Sequence, residues 1–235
     1  MNWLRKLFGG VGCGVLSAEQ QQRLTAWQKL PEPDRDLPHR QMRYIVVDIE
    51  ASGLDQNSDR LISIGAVAVN GSLIQMTDAF EVVLRQDQVS NKDNILIHGI
   101  GASAQREGVE PEEALLQFLE YIGKAPLVAY HAFFDRGMID RASKQYIGGP
   151  PDLVWHDLAW ILPEIFSDRI SGIVGLDTWL EQFSIVNYQR HNAVSDCLAT
   201  AQLLQIAMSR ATDAGLDTSR QLQLVERARR ALRRS

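Results

Sequence analysis

The segment Tyr44-Ile-Val-Val-Asp-Ile-Glu50 constrains this chain more than any other. Its β-branched, apolar run reads as a central strand buried on both faces. Asp48 and Glu50 lie two apart, so on a strand their side chains leave one face, roughly 6–7 Å apart along the backbone. Val47 and Ile49 point the other way. Acids inside a buried strand must be paired or hold a metal. The alternative is a strand end that protrudes into solvent, where acids are less disfavoured.

The rest of the pattern builds a sheet around that strand. Arg60–Val69 is a second apolar run, Asn70-Gly71 a hairpin turn, and an extended run continues through Phe80–Leu84. Asn-Gly between two such runs is a strong hairpin signal. Pro111–Ile122 reads as a helix with Pro in its first turn and acids behind it. Leu127–Tyr130 is a short fourth strand, Phe134–Tyr146 a helix, and Asp152–Trp155 a fifth strand. Helical patterns follow at 157–166, 174–183 and 194–212. Three strands and then strands alternating with helices predict an α/β fold with a sheet of mixed direction and helices packed on it.

At 235 residues the chain has room for one sizeable core. Three parts are expected: a leader at 1–40, a body at 41–213 and an Arg-rich, helical tail at 214–235. In the leader, Ser17–Leu30 reads as a helix with Ser17 as N-cap and Gln20 closing a capping box. No apolar run approaches the ~20 residues that span a bilayer. The start, MNWLRKLFGGVGCGVL, lacks a clean cleavage site and is diluted by glycines, so a cytoplasmic location is expected. Cys13 and Cys197 fit no disulfide framework or zinc spacing and read as reduced thiols.

Charge is unevenly placed. The formal net charge is −5, yet residues 1–40 carry +2 and 216–235 carry +4, leaving −11 on 41–215. An acidic body is compatible with phosphate chemistry if its carboxylates hold divalent cations.

Three further residues complete a candidate constellation. Asp135 falls just past the fourth strand, beside the crevice where α/β sheets bind ligands; it also suits a helix N-cap. His191 and Asp196 are five apart, which on a continuous helix leaves them ~140° apart. They converge only if His191 sits in the loop or first distorted turn ahead of the helix, which the polar segment Val186–Arg190 allows. Two divalent cations held by four carboxylates can generate hydroxide, stabilise a pentavalent phosphorus and neutralise the leaving alkoxide. Mg²⁺ prefers such oxygen ligands, and a histidine can take the proton of the attacking water.

The motifs resemble those of the DEDD exonuclease superfamily, histidine subtype, which includes the proofreading subunits of bacterial replicases. Val47-Asp-Ile-Glu-Ala-Ser-Gly-Leu54 resembles its first motif, Ala129-Tyr-His-Ala-Phe-Phe-Asp135 its second and His191-Asn-Ala-Val-Ser-Asp196 its third. Smaller matches are Ile64-Gly-Ala-Val67, Ile97-His-Gly-Ile100 and Leu198–Ala201. The resemblance covers about 43–208. It implies an RNase H-like mixed five-stranded sheet flanked by helices, dependence on two Mg²⁺ or Mn²⁺ ions, and release of nucleoside 5′-monophosphates from a 3′ end of DNA. By the same resemblance Asp48, Glu50 and Asp196 ligate the first metal, Asp48 also touches the second, Asp135 holds the second, and His191 is the general base. Single-stranded DNA or nucleic-acid 3′ ends are the implied partners. Departures are Ala51-Ser52 in the first motif and Tyr130-His131 in the second, which bear on substrate contacts. His98 could line the cleft or serve the Gly99 turn. An exoribonuclease and an inactive binding or scaffold protein are the competing readings. The terminal extensions, with Arg220, Arg227, Arg229, Arg230, Arg233 and Arg234, could meet nucleic acid, anionic lipid, a polymerase or another protein partner.

Overall fold

A computed structural model describes residues 16–170 and 172–233; the first part of the leader with Cys13, and Arg234, lie outside the described residues. Five strands form one sheet: β1 (Arg43–Ala51), β2 (Leu61–Asn70), β3 (Leu73–Val83), β4 (Leu127–Ala129) and β5 (Trp155–Asp157). Their order is β3-β2-β1-β4-β5. β1 runs antiparallel to β2 and β2 to β3, while β4 lies parallel to β1 and β5 to β4. This is the mixed, helix-flanked α/β sheet expected from the sequence.

Strand periodicity explains how the sheet divides the core. Ile45, Val47 and Ile49 of β1 join one buried cluster with α4 (Pro111–Ile122) and α5 (Phe133–Tyr146). Tyr44 and Val46 join the other with α6 (Leu158–Ile165), α7 (Leu176–Gln182) and α8 (Ala193–Asp213). Asp48 and Glu50 continue this second, even-numbered face. β1 is therefore apolar on both faces until its last turn of pleat, where one face becomes acidic.

Several boundaries differ from the sequence reading. The hairpin turn is Gly71-Ser72, one residue later than expected, because Asn70 pairs with Leu73. Both turn residues have positive φ, 56° and 69°, the pattern whose twist matches a tight hairpin. The fifth strand covers Trp155–Asp157, not Asp152–Trp155. It is only three residues long, so no alternation was available to fix its start. Two short helices, α2 (Lys92–His98) and α3 (Ala102–Arg106), occupy a stretch to which the sequence reading assigned no element.

The flanking segments are docked on the body. α1 (Ala18–Gln28) starts at Ser17 with the expected capping box. It packs on α4: Arg23 pairs with Glu113 and Glu120 at 2.7 Å, and the Trp27 indole N–H donates to the Gly123 carbonyl at 2.7 Å. α9 (Ser219–Leu232) lies against α6 and β5 with Leu222 fully buried. Arg229 pairs with Glu164 and Arg230 with both Asp157 and Glu226, at 2.8–2.9 Å. Thr218 bridges antiparallel to Pro38.

A polar chain threads this junction. His39 Nδ1 shares a 2.7 Å hydrogen bond with the Tyr44 hydroxyl, the Tyr44 ring stands edge-on to His156 at 6.1 Å, and His156 Nε2 meets Ser219 Oγ at 2.8 Å. His156 is wholly buried, and that burial, reinforced by nearby His39 and Arg35, pushes its pKa down to about 3. No described helix is long and apolar enough to cross a membrane.

Candidate active site

The site grows from the acidic end of β1. Asp48 pairs across to Gly65 of β2. A Cβ at Gly65 would lie 2.6 Å from the Ala193 Cβ and 2.7 Å from the Ala193 backbone. Glycine at this position thus lets the first turn of α8 rest directly on the sheet. That approach delivers Asp196, the fourth residue of α8, to the carboxylates of β1. One oxygen from each of Asp48, Glu50 and Asp196 lies within 4.8 Å of the others.

The start of α8 is set by local chemistry. Asn192 caps it by accepting from the Ser195 N–H at 3.0 Å, and His191 precedes the cap with a left-handed φ of 61°. The geometric condition for the third motif is met, since His191 lies in the loop and not on the helix. Its backbone N–H donates to Asp196 Oδ2 at 2.9 Å. Its side chain is exposed and makes no hydrogen bond to the described residues, so His191 stands at the rim of the carboxylate trio.

Asp135 reaches the site from α5, where it is buried in the first turn. It is not the N-cap, a position held by Ala132 without a side-chain bond. Burial raises its carboxyl, and the backbone at Asp135 and at Ile49 of β1 opposes that rise. Asp135 lies outside the tight trio, yet its charge is the strongest carboxylate repulsion acting on Asp48.

Crowding of acids in a buried place has a clear electrostatic signature. Burial, then repulsion from Asp135, Asp196 and Glu50, drives the Asp48 carboxyl well above the usual carboxylate range. Burial and the Asp196 charge raise Glu50 to about 8, and burial raises Asp135 to about 7. Arg190 opposes the rise at Asp48 and Glu50. Its guanidinium pairs with Asp196 at 2.5 Å and with Asp177 at 3.0 Å, and the Asn187 amide also donates to Asp196. The donor set fits a hard divalent cation: clustered carboxylate oxygens whose mutual repulsion a positive ion relieves.

Sequence reasoning overlooked four contributors. Arg190 and Asn187 compensate Asp196; the cation immediately before His191 was the available signal. Asp157 accepts from the His131 N–H at 2.9 Å and from the Ala159 N–H at 3.1 Å, fixing the left-handed His131 (φ 64°) that leads into α5. Gly65 was seen only as part of a small match. His98 does not line the cleft. It is buried, accepts from the Ile100 N–H at 3.0 Å and contacts Ser90 at 3.3 Å, so it serves the Gly99 turn. His131 is exposed and rests edge-on against Tyr130.

The family model for exonucleases of RNase_T type matches residues 45–204, from β1 into α8. The chain belongs to this exonuclease family. Its exonuclease-family relatives include the DNA polymerase III PolC-type of Staphylococcus haemolyticus, 29% identical over 170 residues, covering 72% of this chain and 11% of that one. The corresponding protein of Staphylococcus epidermidis is 30% identical over 171 residues, with the same coverage. The chain thus spans about 11% of the length of the curated relatives it matches. Among solved structures, E. coli Exonuclease I in complex with a dT13 oligonucleotide superposes with a TM-score of 0.63 at 16% identity, covering 74% of this chain and 42% of that one. Exonuclease X in complex with 5′ overhanging duplex DNA gives 0.59 at 18% identity, covering 78% and 99%. At these identities the likeness shows a shared RNase H-like exonuclease fold.

Proposed function

We propose that this exonuclease-family chain is a metal-dependent 3′→5′ exonuclease that hydrolyses DNA phosphodiesters and releases nucleoside 5′-monophosphates. The observation that carries the reading is the carboxylate trio of Asp48, Glu50 and Asp196, one oxygen of each within 4.8 Å of the others. These three would hold one Mg²⁺ or Mn²⁺; Asp48 would also reach a second, held by Asp135 directly or through water. Bound divalent cations polarise the phosphoryl oxygens, acidify the attacking water and neutralise the departing alkoxide. The chain's residues supply the rest. Asp48, Glu50 and Asp135, with carboxyls raised by burial, give up protons to take that role. His191, exposed and anchored through its backbone N–H to Asp196, would accept the proton of the attacking water.

Polarity and sugar preference rest on the three motifs and on relatives named as DNA polymerases. The test uses 3′- and 5′-labelled linear DNA and RNA oligonucleotides and uniformly labelled circles, with Mg²⁺, Mn²⁺ or chelator. Mononucleotide release from a free DNA 3′-OH, abolished by chelator, is the expected result. Cutting of circles as fast as linear strands would overturn the polarity; faster loss of RNA would make it an exoribonuclease. No hydrolysis with either metal would leave an inactive binding protein.

A further inference from the structure

A groove runs from the first turn of α5 along the start of β5 to α9. It consists of two cavities of about 280 and 640 Å³ that share Arg136, Trp155, Gln223 and Arg227 in their walls. Its inner end is formed by Ala132 and Phe133, within three residues of Asp135, and its outer end by Arg35. The α9 wall lies beyond the span that matches the exonuclease family.

The charges in the groove are arranged for an anion. Arg220, Gln223 and Arg227 recur at i, i+3 and i+7, which places them on one helix face. Most α9 arginines are committed to carboxylates, as Arg220 is to Asp36 at 2.7 Å. Arg227 is exposed and has no ion pair among the described residues. Among the described residues the Arg35 guanidinium hydrogen-bonds only the Gln223 amide oxygen, at 3.2 Å. Among the described residues Arg136 has one long ion pair, with Asp140 at 3.4 Å on the surface. Of the acids in the walls, Glu32 is paired with Lys124 and Glu226 with Arg230, leaving Asp152. Phe133, 74% exposed, offers an aromatic face at the inner end.

We infer that this groove binds the phosphate backbone of the single strand whose 3′ end occupies the carboxylate site, with Arg136, Arg227 and Arg35 contacting successive phosphates and Phe133 stacking on a base. The inference rests on the exonuclease reading and deepens it. Phosphate contacts position a strand without reading its sequence, and base stacking on an exposed ring is equally indifferent to sequence. On a chain with a net charge of −5, such a local set of cations is what a polyanion requires.

The test compares the full chain with the Arg136→Ala/Arg227→Ala double variant. Both positions are exposed, and equal melting temperatures check the fold. Fluorescence anisotropy with a labelled oligothymidine 20-mer and a 3-mer, with chelator present, measures binding across a salt series. Turnover of the p-nitrophenyl ester of thymidine 5′-monophosphate with Mn²⁺ reads the carboxylate site alone. Each lost phosphate contact reduces the salt slope by ~0.7 on a single strand, so two lower it by ~1.4 and weaken 20-mer binding on the order of 20-fold at 0.1 M salt. Binding of the 3-mer and ester turnover should stay at the level of the unmodified chain. An unchanged 20-mer affinity and slope would overturn the groove assignment. Equal losses for both oligonucleotides would overturn it as well, since the arginines would then act at the 3′ end itself. Absence of ester turnover in the unmodified chain would instead overturn the exonuclease reading, while the anisotropy comparison still decides the groove.

Discussion

Replacing His156 by Gln should remove an acid-triggered loss of stability. In the folded chain the ring is wholly buried between Tyr44 and Ser219, with a pKa near 3 against an ordinary 6.5. The unfolded chain therefore takes up the proton first. The stability this histidine contributes is fully present above 6.5 and is lost progressively as the pH falls toward 3. Between pH 8 and pH 5 the linkage amounts to about 2 kcal/mol, since unfolded His156 is nearly all protonated at pH 5 and folded His156 is not. Glu50 and Asp135, whose folded values are raised, act in the opposite sense, stabilising the metal-free chain as the pH falls. They are common to both proteins and cancel in the comparison. Gln can retain a hydrogen bond to Ser219 but cannot gain the proton. Urea unfolding of both proteins at pH 8 and pH 5, with chelator, measures the effect. His156→Gln should be less stable at pH 8 by the ~1–3 kcal/mol of a perturbed buried site, and about 2 kcal/mol of that deficit should vanish at pH 5. A deficit equal at the two pH values would refute the reasoning.

Asp48→Ala and Asp196→Ala should each abolish turnover and weaken Mn²⁺ binding in calorimetry while the metal-free fold is kept; native-like activity in Asp48→Ala would sink the metal assignment. His191→Ala should lower the rate ~10²–10⁴-fold with metal affinity near normal; a loss of affinity as large as that of Asp196→Ala would make His191 a ligand or anchor. Cation binding near pH 7 should release protons, because Glu50 sits at about 8 and Asp135 at about 7 without metal. Calorimetry in buffers of different ionisation enthalpy should show that release fading by pH 9. Truncation after residue 215 should lower the melting temperature, since it uncovers His156 and deletes the fully buried Leu222 and both partners of Asp157 on α9; an unchanged transition would mean that α9 contributes nothing to the fold.

What was legible in the sequence was legible because it obeys a short period. β1, the hairpin and the capping box at Ser17 announce themselves through alternation, turn chemistry and local capping. Asp48, Glu50 and Asp196 stood out as acids beside apolar patterns, and their convergence within 4.8 Å agrees with the spacing argument. Interactions between distant elements were not legible. Nothing local says that Arg190 turns back to Asp196, or that Asp157 clasps both the His131 N–H and Arg230. β5, with three residues, was too short for alternation to place its start. The tail's arginines could not be divided into structural and free ones until α9 had a surface to lie on.

The Pro38–Thr218 bridge has a topological consequence. It is reinforced by the His39 N–H, which donates to the Asp217 carbonyl at 2.9 Å. Paired antiparallel residues lie about 5 Å apart, so the backbone enters and leaves the family-matched region through what is nearly a single doorway. A unit with adjacent portals can be carried inside a much longer polypeptide as a plug-in module, because the host chain need not stretch or rearrange to accommodate it. In the Staphylococcus polymerases the matching stretch occupies 11% of the chain.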